Sequence, residues 1–241
     1  MQKKIWRMLF PLLVYVATEE LVFAFWELRH GRVEETQVLL LTALASVLSV
    51  LFLSREYGRS QKGRKPGKLY PPAYFAVAGI GGCLFLNGLL RLLPIPEEGY
   101  EQVGRALYRP SFLIQLACMG VLVPLGEELV FRGLFYGRLR EEMSCPKAAA
   151  LSALCFGLLH GNLIQGIYAG TLGIFLALIY EYEQGLRGCW LFHGAANGTA
   201  VCMTYVFLGG QGAVGQAAMA AAGGILLLIL YNTIRRDGIR K

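Results

Sequence analysis

Eight long apolar stretches recur along the chain, with short polar links between them. Inside a bilayer every backbone N–H and C=O group must find a partner, and an α-helix supplies those partners within one segment. About 20 consecutive apolar residues are enough for a helix to cross the hydrocarbon core. The sequence therefore predicts an all-α, polytopic transmembrane helical bundle of about eight spans, forming a single transmembrane domain over residues 1–241. The predicted spans are residues 5–26, 37–53, 72–92, 112–138, 147–163, 165–182, 186–208 and 217–234.

The composition agrees with a membrane protein and gives an orientation. Charged residues make up 16% of the chain, against about 25% in soluble domains. The net charge of +7 comes from Lys and Arg that cluster in a few links, above all at residues 54–68. Such clustering sets membrane topology and does not favour nucleic-acid binding. With the N-terminus in the cytoplasm, the inner segments hold about 17 of the 23 Lys and Arg residues, so we expect an N-in and C-in protein.

Three charged residues interrupt the apolar stretch at 112–136: Glu127, Glu128 and Arg132. A charge at the bilayer centre costs at least about 2.5–3.5 kcal/mol, so each needs a partner or a wet cavity. On a helix Glu128 and Arg132 are four residues apart and share a face. Glu127 points about 100° away and is less neutralised. This arrangement suits a general base at Glu127 with a supporting ion pair beside it, and a purely structural brace is the alternative.

Two later spans carry further polar groups at similar depths. His160 lies in the fifth predicted span, and His193 and Asn197 lie four residues apart in the seventh, where they share a helix face. The rise per residue places Glu127 and these three groups about 9–20 Å from the inner ends of their helices. Three helices therefore bring four functional groups to one layer of the membrane.

These residue types are those of a hydrolase that has no nucleophilic side chain. A carboxylate and a histidine can deprotonate a water that attacks a carbonyl, while a second histidine and an amide stabilise the oxyanion. A glutamate and two histidines are also a known zinc ligand set, but the spacing is not H-E-x-x-H and the ligands would come from three helices. We expect no cofactor, with a divalent metal ion as the alternative.

Three motifs resemble the signature of the CPBP family, also called ABI, which contains CAAX prenyl proteases and bacteriocin-processing enzymes. They are E-E-x-x-x-R at 127–132, F-x-x-x-H at 156–160 and H-x-x-x-N at 193–197, and we take residues 112–208 as the motif-bearing catalytic helices. The resemblance implies an intramembrane glutamic endopeptidase, in which Glu127 activates water and His160 assists it. It further implies that His193 and Asn197 form the oxyanion site, with Glu128 and Arg132 as the supporting pair.

The substrate and two competing functions remain open at the level of sequence. The small size favours a bacterial plasma-membrane member that cleaves a membrane-associated peptide or protein, in bacteriocin or signal-peptide maturation or in immunity. One alternative is a non-catalytic immunity or scaffold protein in which the polar cluster braces the helices. Another is a transporter with a Glu/His proton relay, which predicts polar residues in the outer half of the later spans. Few stand there.

Overall fold

The computed structural model of the chain describes residues 2–65, 67–68, 70–92, 110–206 and 212–237. In these ranges the chain forms eight helices and no strand, which confirms the predicted all-α class. The helices are α1 (Gln2–His30), α2 (Glu35–Ser60), α3 (Pro72–Leu92), α4 (Phe112–Glu142), α5 (Cys145–Leu158), α6 (Leu163–Glu183), α7 (Arg187–Val206) and α8 (Ala213–Asp237).

Six of these helices are long and apolar enough to cross a membrane: α1, α2, α3, α4, α6 and α8. The α5 helix has 14 residues, so it is about 21 Å long, shorter than a hydrocarbon core of about 30 Å. The α7 helix has 20 residues and carries His193 and Asn197 in its centre. The protein is thus a multi-pass membrane protein, while the count of eight spans and the N-in orientation stay predictions.

The fifth predicted span differs from the structure at its end. The α5 helix ends at Leu158, and His160 therefore lies in the turn that follows rather than inside a helix. Gly161 has a φ of 75°, a left-handed conformation that glycine adopts without steric cost. The side chain of Asn162 then caps α6 by accepting a hydrogen bond of 2.9 Å from the N–H of Gln165. A His-Gly-Asn turn ends one helix and starts the next.

Other boundaries also differ from expectation, and some predicted segments are not covered. The basic segment predicted as a link at 54–68 is helical up to Ser60, and α1 continues to His30, four residues beyond the predicted end of the first span. The link at 93–109, the end of the seventh predicted span at 207–208, the adjoining residues 209–211 and the basic tail at 238–241 lie outside the described residues.

Glycines in α3 allow α7 and α8 to approach it closely. A Cβ atom on Gly79 would overlap the backbone of Phe192 in α7, and one on Gly88 would overlap the backbone of Gln216 in α8. Small residues at helix contacts are typical of membrane bundles, where packing rather than water exclusion drives association. This contact holds α7, and with it His193, at a fixed position in the bundle.

Contacts between helix ends define one end of the bundle. Lys4 at the start of α1 pairs with Glu142 at the end of α4 at 2.9 Å. The N–H of Gly67, between α2 and α3, donates to the carbonyl of Glu183 at the end of α6 at 3.0 Å. We call this the basic end, because the Lys and Arg residues between 55 and 68 lie there.

Candidate active site

The α4 helix widens into π-helical turns on both sides of the two glutamates, at Cys118–Leu122 and Leu129–Tyr136. In the first of them the N–H of Val123 donates to the carbonyl of Cys118, and Pro124 has no N–H to donate. In a regular helix the carbonyl of Met119 would accept from the N–H of Val123, and in a wide turn from that of residue 124. Neither N–H is available to it here. The amide Nδ2 of Asn197 donates to this carbonyl at 3.0 Å. Wide turns of this kind occur frequently at functional sites.

The same wide turn brings α7 against the backbone of α4. Trp190 donates from Nε1 to the carbonyl of Val121 at 3.0 Å. A Cβ atom on Gly194 would overlap the carbonyl oxygen of Gly120, so only glycine fits this approach. The polar turn of α4 and the polar face of α7 are therefore held in direct backbone contact.

Replacing Gly194 with Ala is expected to destabilise the protein by roughly 1–3 kcal/mol, because the added methyl forces α4 and α7 apart. The matched control is Gly198→Ala, one turn further along α7, where a Cβ atom would lie 3.8 Å from the side chain of Leu116, an ordinary contact. Both changes favour the helix equally. Thermal unfolding midpoints in one detergent measure the difference, and equal midpoints would contradict the close backbone contact.

Glu128 is fully buried and is held by two partners. Its Oε1 atom lies 3.3 Å from Nη1 of Arg132 and 2.7 Å from Nδ1 of His193. Because an ionised carboxylate only accepts hydrogen bonds, Nδ1 of His193 carries a proton. This contact fixes both the tautomer and the ring orientation of His193, so that Nε2 points away from Glu128.

Glu127 lies on the other side of the same imidazole. Its Oε2 atom is 3.6 Å from Nε2 of His193, and its side chain is 12% exposed, against 1% for Glu128. The neighbouring carboxylates thus differ in environment. Glu128 is enclosed by a guanidinium and an imidazole, and Glu127 has a weaker contact and reaches open space. Glu127 is therefore the more exposed of the two carboxylates.

The ring of Phe156 connects the second histidine to this cluster. The centroid of the Phe156 ring lies 4.7 Å from that of His160 and 5.8 Å from that of His193. The guanidinium of Arg132 stacks over the same ring at 4.3 Å. His160 donates from Nδ1 to the carbonyl of Phe156 at 2.7 Å, which leaves its Nε2 as the free nitrogen. The His160 ring is therefore oriented although it lies outside the helix.

The structure brings the six predicted residues into one region from three parts of the chain. Glu127, Glu128, Arg132 and His193 form one contact cluster, and His160 joins it through Phe156. Asn197 lies one turn of α7 beyond His193 and reaches α4 at Met119. Sequence reasoning missed two features, the bond between His193 and Glu128 and the central place of the Phe156 ring. A freed backbone group such as the Met119 carbonyl is predicted by Pro124, which has no N–H to donate.

Among the described residues, no three His, Cys, Asp or Glu side chains converge in a way that could hold a metal ion. Both nitrogens of His193 face carboxylates, and Nδ1 of His160 faces a carbonyl.

The comparison with protein families identifies this region. Residues 109–199 match the family model described as "Type II CAAX prenyl endopeptidase Rce1-like". This segment is similar to the Rce1-like membrane proteases. The matched segment contains all three motifs and α4 to α7 as far as the site residues, which confirms the resemblance to the CPBP family. Neither the curated proteins nor the solved structures contained a match.

Proposed function

We propose that the protein is an intramembrane endopeptidase that hydrolyses a peptide bond with a water activated by Glu127. Its Rce1-like segment gives the coarser activity, that of a CAAX-type membrane endopeptidase. The observation that carries the finer proposal is the contrast between the two glutamates. Glu128 is held by two cationic or hydrogen-bonding partners, and Glu127 keeps a carboxylate that is partly exposed.

Glu127 acts as the general base in this mechanism. A carboxylate can take a proton from water when it lies within hydrogen-bond reach and is not already neutralised by an ion pair. Arg132 pairs with Glu128 and leaves Glu127 free for this step. The free Nε2 of His160 assists by accepting a hydrogen bond from the same water. The water then attacks the carbonyl carbon of the substrate, and the proton held by Glu127 passes to the leaving amine.

His193 and Asn197 stabilise the negative charge that develops on the substrate oxygen. The bond from Nδ1 of His193 to Glu128 orients the ring so that Nε2 points towards Glu127, and in the imidazolium form the Nε2–H group can donate to an oxyanion. Asn197 uses one N–H for the Met119 carbonyl and has a second N–H to donate. Both donors are held by bonds to α4 before the substrate arrives.

The substrate is a membrane-associated protein or peptide. The family description names prenyl endopeptidases, and the apolar surroundings of the site suit a substrate held in the membrane by a lipid group or an apolar segment. We propose a bacterial plasma-membrane setting, with maturation of a bacteriocin or signal peptide, or immunity to one, as the role. No nucleic acid and no cofactor enter the mechanism.

The function is tested by comparing membrane peptides in cells that carry the wild-type protein, Glu127→Ala or Glu20→Ala. Glu20 is an exposed acid on α1 and serves as the control. We expect an uncut precursor to accumulate in Glu127→Ala alone, with all three proteins equally abundant. The same experiment tests a non-catalytic immunity or scaffold protein, the alternative that the buried Glu128–Arg132–His193 cluster favours. In that case Glu127→Ala leaves the peptides unchanged or lowers the abundance of the protein itself.

A further inference from the structure

A cavity of about 150 Å³ lies at the basic end of the bundle, near the ends of α2, α4 and α6. Its wall includes Gly137, which lies ten residues after Glu127 and so about 15 Å along α4. The side chains of Arg132 and Tyr136, both fully buried, lie between these two positions on α4. The cavity is therefore separate from the candidate active site.

Arg64 points into this cavity and is held in place. Its Nη1 donates to the hydroxyl of Tyr180 at 3.3 Å, and Gln61 donates to the same hydroxyl at 3.1 Å. The hydroxyl of Tyr180 in turn donates its proton to the carbonyl of Gly133 at 3.5 Å. The segment around Arg64 is also tied to α6 by the bond from Gly67 to the carbonyl of Glu183. Arg64 is thus a positioned group, unlike a freely moving surface arginine.

The acids that line the cavity already have partners. Arg140 donates to both carboxylate oxygens of Glu181, at 3.0 and 2.8 Å, and the hydroxyl of Tyr136 donates to Glu181 at 2.8 Å. Glu141 pairs with Arg7 at 3.1 Å.

Within the part of the chain that the structure describes, no carboxylate lies within ion-pair distance of Arg64. Arg64 therefore contributes a positive charge to the cavity that the lining acids do not cancel. An anion is the ligand that this charge favours.

We propose that this cavity binds the phosphate of an anionic phospholipid headgroup. A guanidinium matches the oxygens of a phosphate with two parallel hydrogen bonds. The cavity lies where three helices end, which is the level of the headgroups for helices of this length. Basic pockets between membrane helices are known to bind such headgroups, and nearby Lys and Arg residues raise their local concentration. Arg59 and Lys62 are exposed, lie within five residues of Arg64 along the chain and supply that attraction.

The test titrates short-chain phosphatidylglycerol into the purified full chain in a neutral detergent and counts bound lipid by native mass spectrometry. The variants are Arg64→Gln and Lys62→Gln. Each removes one positive charge, and the two positions are two residues apart in the chain. We expect Kd to rise about tenfold or more for Arg64→Gln, because a charge-assisted bond is lost. We expect a change of less than twofold for Lys62→Gln. Equal losses in the two variants would overturn the proposal in favour of general surface attraction.

Two further arms separate the remaining outcomes. Tyr180→Phe keeps every charge but removes the hydroxyl that positions Arg64, so lipid binding should weaken to an intermediate degree. Inorganic phosphate is added as a competitor, and binding as tight as that of the lipid would mean that free phosphate is the ligand and that the lipid assignment is wrong. Where Arg64→Gln does not accumulate, Arg64→Lys keeps the charge and loses the paired geometry. An unchanged Kd in that variant contradicts the proposed site.

Discussion

Replacing Glu127 with Gln should lower kcat by about 10²–10⁴-fold, the range in which a positioned general base contributes. The amide keeps the size and the hydrogen-bonding reach of the side chain but cannot accept the proton of the attacking water. The Oε2 atom of Glu127 lies 3.6 Å from Nε2 of His193, a distance too long for a strong hydrogen bond. The substitution should therefore change the free energy of unfolding only slightly. The measurement is cleavage of the identified precursor by the purified protein in lipid nanodiscs.

The comparison variants for this prediction are Glu20→Gln and Glu127→Asp. Glu20→Gln removes an exposed acid from α1 and should leave kcat unchanged. Glu127→Asp keeps the carboxylate but shortens the side chain by one methylene group. Its kcat should therefore lie between those of the wild type and Glu127→Gln. KM should stay within about threefold throughout, since the base acts in the transition state. A Glu127→Gln variant that retains most of its kcat would show that another group activates the water.

Spacing along single helices predicted the relations within α4 and α7 well. Glu128 and Arg132 stand four residues apart and form the ion pair that this spacing predicts. The face shared by His193 and Asn197 turns towards α4, where both side chains find partners. The apolar stretches gave the all-α class and the approximate place of each helix, because the bilayer leaves few other ways to satisfy the backbone.

Relations between helices could not be obtained in the same way. Helical periodicity gives the direction of a side chain relative to its own axis, but it does not say which neighbour lies in that direction. The bond between His193 and Glu128 depends on how closely α7 approaches α4, and that approach rests on Gly194 and on the wide turn before Pro124. The end of α5 at Leu158 was missed because Gly161 stands in an otherwise apolar run.

Replacing Arg132 with Met is expected to be the most destabilising single change in the site, at roughly 3–5 kcal/mol. Arg132 and Glu128 have no exposed surface, so removing the guanidinium leaves a buried carboxylate with His193 as its remaining partner. The stacking of Arg132 over the ring of Phe156 is lost as well. Unfolding midpoints of the purified protein in detergent measure the effect, and Glu127→Gln, which should shift the midpoint little, is the control.

The double variant Arg132→Met with Glu128→Gln decides whether this cost comes from the stranded charge. Two nitrogens of Arg132, Nε and Nη2, and the Oε2 atom of Glu128 have no hydrogen-bond partner among the described residues. The pair is thus incompletely satisfied, and replacing both charges together should restore most of the stability lost in Arg132→Met. Activity should not return, because Glu128 also orients the imidazole of His193. A double variant as unstable as the single one would show that packing of the guanidinium against Phe156, rather than charge, holds this part of the bundle together.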